Sequence, residues 1–202
     1  MMKPIVAAGF AAALALTASA AQAQTAQPLS PGQQTQAKSD QAKPDKDSQT
    51  FIKNAIEGNN AEVDVGKLAQ EKGQSDGVKQ FGAMLVKDHG EANAKAKDVA
   101  SKLQVEPPTG TGIGQKATYA KLKILQGATF DKSFAKSMVS DHQSDIKDYQ
   151  KEAQKSDAAG AYAKESLPTL QKHLQEAQQL QTQLENASSS NAKAKPSTTG
   201  SR

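Results

Sequence analysis

The chain is 202 residues long, enough for one ordinary domain once its ends are set aside. It contains no cysteine, which excludes a disulfide framework, thiolate metal ligation and the acceptor of a bacterial lipid anchor. The net charge of +4 is spread over alternating lysines and acids, with no basic stripe carrying interleaved aromatics, so nucleic acid is not an expected partner.

Residues 1–23 read as a secretory signal peptide. Lys3 supplies the positive start, Ile5 to Leu16 is apolar apart from Gly9, and Ala21-Gln22-Ala23 is a small-residue cleavage site. The apolar run falls short of the ~20 residues that a spanning helix needs, so no transmembrane anchor is expected after cleavage. The expected location is the periplasm. Residues 24–47 are rich in Gln, Pro, Lys, Ser and Asp, and residues 187–202 in Ser, Ala, Lys, Thr and Gly. Neither stretch has the apolar surface to offset ordering entropy, so a disordered linker and a disordered tail are predicted. Their lysines allow a weak contact with acidic envelope surfaces. The folded domain is then residues 48–186.

Within it the pattern is helical throughout. Strand signals, meaning period-two runs of Val, Ile, Thr or Tyr and Asn-Gly turns, are missing. The first helix steps through Ile52, Ile56, Val63, Gly66 and Ala69. Gly58-Asn59-Asn60 interrupts it, so the helix either continues or restarts with Asn60 as its cap. The second steps through Val78, Phe81, Leu85, His89, Ala92, Ala96, Val99 and Leu103, with Ser75 or Asp76 as cap and Pro107 and Pro108 as the stop. From Gln104 to Ala128 the chain has Pro107, Pro108, Gly110, Gly112 and Gly114, and Lys116 to Leu125 can form a short helix within it. A link this long is what a bundle needs if its second and third long helices run parallel. The third steps through Phe134, Met138, His142, Ile146, Tyr149 and Ala153, with Thr129 or Asp131 as cap. The fourth steps through Ala163, Leu167, Leu170, Leu174, Ala177, Leu180 and Leu184, with Ser156 or Asp157 as cap and Pro168 inside it. The architecture predicted is an all-α four-helix bundle with a long crossover between the second and third helices.

One pattern occurs twice. FGAMLVKDH (Phe81 to His89) and FAKSMVSDH (Phe134 to His142) both read F-x-x-x-[LM]-V-x-D-H. Two helices therefore present the same Asp-His pair at the same offset. The chain has 3 histidines, and each falls near the middle of a different predicted helix, His89, His142 and His173. Glu62 occupies the matching place on the first helix. With helix ends in register, these four residues share one level. Imidazole with a carboxylate suits a divalent transition metal ion such as Zn, Cu or Fe. Glu62, His89, His142 and His173 are the candidate ligands, and Asp88, Asp141 and Asp145 the supporting groups. Such a site needs neutral rings, so binding is expected to weaken as pH falls through roughly 6.5. A layer of hydrogen-bonded histidines that fixes helix register without metal is the competing reading. In that case the bundle is a non-catalytic interaction module of the envelope. The pattern names neither a reaction nor a partner.

At these residues the chain resembles the bacterial family known as domain of unknown function 4142, whose members often carry exported or outer-membrane labels. The resemblance rests on AEVDVGKLAQEK (Ala61 to Lys72), VKQFGAMLVKDH (Val78 to His89), FDKSFAKSMVSDH (Phe130 to His142) and LPTLQKHLQEAQQL (Leu167 to Leu180). It implies a ferritin-like bundle behind a signal peptide and implies no activity. Di-iron members of the wider fold carry Glu-x-x-His on two helices. Here Val86 and Val139 stand three residues before His89 and His142, which argues against a di-iron oxidase.

Overall fold

A computed structural model describes residues 45–194, with side chains described to residue 190. The predicted signal peptide, nearly all of the predicted linker and residues 195–202 lie outside the described residues. The elements are α1 (Lys46–Lys72), α2 (Asp76–Lys102), α3 (Ile113–Ile124), α4 (Gly127–Glu152) and α5 (Ala158–Ala194). Among the described residues there is no strand, and no helix is long and apolar enough to cross a membrane.

The direction of each helix follows from which of its ends share a core. One apolar cluster joins Ile52 and Ile56 near the start of α1 to Val99 and Leu103 at the end of α2, Tyr149 near the end of α4 and Tyr162 near the start of α5. The other joins Leu68 of α1, Val78 and Phe81 of α2, Phe130 and Phe134 of α4 and Leu180 of α5. Thus α2 and α4 run parallel to each other and antiparallel to α1 and α5. One long crossover containing α3 makes this possible, the connectivity of ferritin-like bundles. In cross-section the order is α1, α2, α5, α4, and α3 lies over the groove between α1 and α4.

Local details depart from the sequence reading in physically clear ways. α1 runs unbroken through Gly58-Asn59-Asn60, because Asn59 is buried and its amide donates to the Tyr162 hydroxyl at 3.0 Å. On α1 the core position is Val65 rather than Val63, which is half-buried. α2 ends before the prolines are reached. Leu103 closes it, Gln104 adopts φ 55°, and the Val105 amide donates back to the Ala100 carbonyl at 2.9 Å. This is a Schellman turn with Gln in the place usually held by Gly. α5 passes Pro168 without a break and continues beyond Asn186, where the sequence reading ended the domain. Asp157 caps α5, accepting from the Gly160 amide at 2.9 Å.

α4 begins at Gly127, so neither Thr129 nor Asp131 is its cap. Asp131 instead serves a different helix. It is buried and accepts from the backbone amides of Gln74 at 2.9 Å and Ser75 at 2.8 Å, at the start of α2. A carboxylate there satisfies free donors and faces the positive end of the helix dipole. Asp131→Ala removes two charge-assisted bonds and is expected to lower stability by roughly 2 kcal/mol. The measurement is a urea melt, in which the midpoint falls while the slope stays constant.

α1 and α2 meet backbone to backbone. A Cβ on Gly66 would lie 2.7 Å from the Gly82 carbonyl oxygen, and a Cβ on Gly82 would lie 2.7 Å from that of Gly66. No side chain fits between the helices at this point. Both glycines are therefore required by packing, at a cost of about 1 kcal/mol each in helix propensity.

Candidate metal centre

The parallel course of α2 and α4 turns the sequence repeat into a spatial one. Phe81 and Phe134 pack edge to face with ring centroids 5.9 Å apart. Counting the same eight residues onward on each helix brings His89 and His142 to one level, with ring centroids 5.6 Å apart. His173 enters from α5, at 5.2 Å from His89 and 5.3 Å from His142. The three rings form a nearly equilateral triangle in the middle of the bundle, and all three are buried. One nitrogen from each ring lies within 4.8 Å of one nitrogen from each of the others.

Each ring is held from behind by a hydrogen bond through its other nitrogen. His142 Nδ1 lies 2.9 Å from the Met138 carbonyl, which only accepts, so Nδ1 carries the proton. His173 Nε2 donates to the Asp88 carboxylate at 3.0 Å. His89 Nδ1 donates to Asn59 Oδ1 at 3.0 Å, since the Asn59 amide nitrogen is committed to Tyr162. In neutral rings this leaves lone pairs on His89 Nε2, His142 Nε2 and His173 Nδ1. His89 Nε2 is buried without any hydrogen-bond partner. His142 Nε2 and His173 Nδ1 face each other at 3.3 Å, lone pair to lone pair. That spacing suits a shared ion, because two nitrogens each 2.0–2.1 Å from a tetrahedral ion are roughly 3.3–3.4 Å apart.

Burial keeps the rings neutral. It pushes His142 down to about 4, with His173 adding repulsion. It pushes His89 well below the usual histidine range, with His142 and His173 contributing. His173 is also lowered by burial, against the opposing pull of Asp88. Burial tends to raise Asp88, but hydrogen bonds from His173 and Lys87 outweigh it and hold the carboxyl below its ordinary value.

The remaining predicted residues divide. Asp88 accepts from His173 Nε2. Glu62 lies outside the set gathered by the three rings. It is buried on α1, its Oε2 has no hydrogen-bond partner, and burial raises its carboxyl well above the usual range, with Asp145 and Asp141 adding to the effect. Asp141 and Asp145 line the same cavity as Glu62, and Asp145 also lines a second one that reaches His89. Burial raises Asp141 and pushes Asp145 up to about 7, with Asp141 and Asp148 adding to the latter. The three histidines come together in the bundle, and Glu62 stands apart from them.

Sequence reasoning missed Asn59 and Asn93. Asn59 lies in the Gly58-Asn59-Asn60 stretch that interrupts the periodicity, yet it accepts from His89 Nδ1 and orients that ring. Asn93 is buried and donates to Asn60 Oδ1 at 2.7 Å, while Asn60 in turn donates to the Gly110 carbonyl at 2.8 Å. An Asn one helical turn after a stripe histidine was the available signal. A cavity of ≈ 690 Å³ between α1 and α4 runs from exposed Asp47 and Asp148 to His89. A smaller one of ≈ 150 Å³ on the α2–α5 side reaches His89, Asp88 and His173.

Residues 31–180 match the family described as Domain of unknown function (DUF4142). The chain belongs to that family. No curated protein matches this DUF4142 chain. It is similar to a crystal structure of a DUF305 fragment from Deinococcus radiodurans, with a TM-score of 0.63 and 11% identity, over 69% of this chain and 98% of that one. At that identity the likeness concerns the fold alone. His89, His142 and His173 all lie within the matched residues.

Proposed function

We propose that this protein is an exported, periplasmic metal-binding bundle that holds one transition metal ion, Zn, Cu or Fe, through His89 Nε2, His142 Nε2 and His173 Nδ1. The observation that supports this reading is the arrangement of protons. Three buried rings each spend their one N–H outward, on Asn59, the Met138 carbonyl and Asp88, and turn an unshared lone pair inward. Such outward bonds fix the tautomer and orientation of metal-binding histidines. Without a cation, inward lone pairs at 3.3 Å repel one another. Three nitrogens leave a further position for water or a small ligand, and imidazole suits all three metals.

Elemental analysis of untagged protein, loaded with each metal and then desalted, tests the proposal. The expected result is about one ion per chain for the wild type. His89→Ala and His173→Ala should each retain little. Wild-type protein that retains none of the metals would leave the histidines as a hydrogen-bonded layer within an interaction module. Export is tested separately, by whether the mature chain recovered from the periplasm begins at Gln24.

A further inference from the structure

The groove between α1 and α4 contains a second constellation, chemically unlike the first. Glu62, Asp141 and Asp145 wall a cavity of ≈ 320 Å³ that is roofed by Gln115 and Thr118 of α3. No lysine or arginine lines it. Glu62 is only 6% exposed, and its Oε2 has no hydrogen-bond partner. A buried carboxylate left unpaired is costly, and three acids around one cavity with no cation among them raise that cost. The cavity carries polar groups on a partly apolar wall and is large enough for several waters at roughly 30 Å³ each.

We propose that Glu62, Asp141 and Asp145 form a second cation site, which takes a hard, partly hydrated divalent ion such as Mn²⁺. The three carboxylates stand around the cavity wall and are not part of the group that the three imidazoles form. Around a cavity of this size they surround an ion together with water rather than a bare one. They suit one that keeps part of its water shell and is held by oxygen, as hard cations commonly are. Asp145 also walls the larger cavity that leads to His89, so the site stands beside the route from solvent to the imidazoles. A staging role for ions bound toward the histidines rests on the function proposed above; the carboxylate site itself does not.

Electron paramagnetic resonance of Mn²⁺ titrated into metal-free, untagged protein tests it. The expected result is about one bound Mn²⁺ per chain at millimolar or lower free concentration. It should be retained in His173→Ala and weakened at least tenfold in the near-isosteric double variant Glu62→Gln/Asp145→Asn. Asp141→Asn is a second, independent variant expected to weaken binding, and melting curves confirm that each variant is folded. Three results would overturn the proposal: no Mn²⁺ bound by the wild type, binding indifferent to the carboxamide variants, or binding lost in His173→Ala. The last would place Mn²⁺ at the histidines. Loss of Zn, Cu and Fe binding with Mn²⁺ binding intact would instead overturn the histidine reading alone.

Discussion

Free Zn²⁺ at a thousandfold excess over its dissociation constant should raise the melting temperature of the untagged protein by roughly 10 °C. A ligand that binds only the folded state adds about 4 kcal/mol at that excess. For a domain of this size each kcal/mol moves the midpoint by about 2–4 °C. His142→Ala removes a lone pair from the centre of the triangle and should abolish most of the shift. Lys164→Ala, on the exposed face of α5, should leave it intact. The pH dependence differs from the sequence expectation. An exposed histidine would lose its ion as pH falls through roughly 6.5. Here burial holds His142 down to about 4. The metal-induced shift should survive at pH 6 and fade only as pH approaches that lower range. The metal-free protein behaves in the complementary way. Between the unfolded value of roughly 6.5 and the folded value, the unfolded chain binds more protons, so the histidines subtract stability as pH falls through that window. Differential scanning calorimetry with and without Zn²⁺ at several pH values measures both effects. A thermal shift in His142→Ala equal to that of the wild type would rule out these ligands.

Glu62→Met should make the metal-free protein more stable by roughly 1–4 kcal/mol at neutral pH, the range seen when buried ion pairs give way to apolar side chains of similar size. The folded-state Glu62 carboxyl is raised well above its ordinary value, first by burial and then by Asp145 and Asp141. A raised carboxyl favours the fold while both states are protonated and penalises it as pH rises past the unfolded value. The gain should therefore appear above about pH 4.5 and grow toward neutrality. Below that it should vanish. Chemical denaturation of wild type and variant at pH 4 and pH 7.5 checks both magnitude and direction. A loss of stability at pH 7.5 would mean that Glu62 has a compensating partner. The stabilised variant should also lose Mn²⁺, a trade of stability against function.

Much of this was legible in the sequence because α2 and α4 are parallel. Equal spacing from Phe81 to His89 and from Phe134 to His142 becomes equal height only in that orientation, and the length of the crossover pointed to it. What periodicity alone could not supply was the neighbour around the ring of helices. Asp88 and Asp141 stand at the same motif position and turn in the same rotational sense. From α2 that direction leads to α5, where His173 waits at 3.0 Å. From α4 it leads to α1, where Glu62 sits. One motif thus meets two chemistries, and Glu62 lies with the second. Asn59 escaped notice for a related reason. Gly58-Asn59-Asn60 reads as a break when only local propensity is weighed, and the hydrogen bonds to His89 and Tyr162 that keep the helix whole come from other helices. The caps failed where a carboxylate served a neighbour instead of its own helix, as with Asp131 at the start of α2.

The glycine contact between α1 and α2 has a mechanical consequence. With Gly66 and Gly82 touching through their backbones, that hairpin moves as one stiff plate, and α4 with α5, packed along their length, makes the opposing plate. His89 is mounted on the first, His142 and His173 on the second. An ion gripped by all three is a rivet through the seam. When it is absent the plates are held by their apolar faces and by a few hydrogen bonds such as Asn59 to Tyr162 and His173 to Asp88, and the easiest breathing motion is a parting along the side where α3 spans α1 and α4. When it is present that motion must break coordination bonds. Amide exchange along the inner edges of α1 and α4 should therefore be slowed more by loading than exchange within either hairpin.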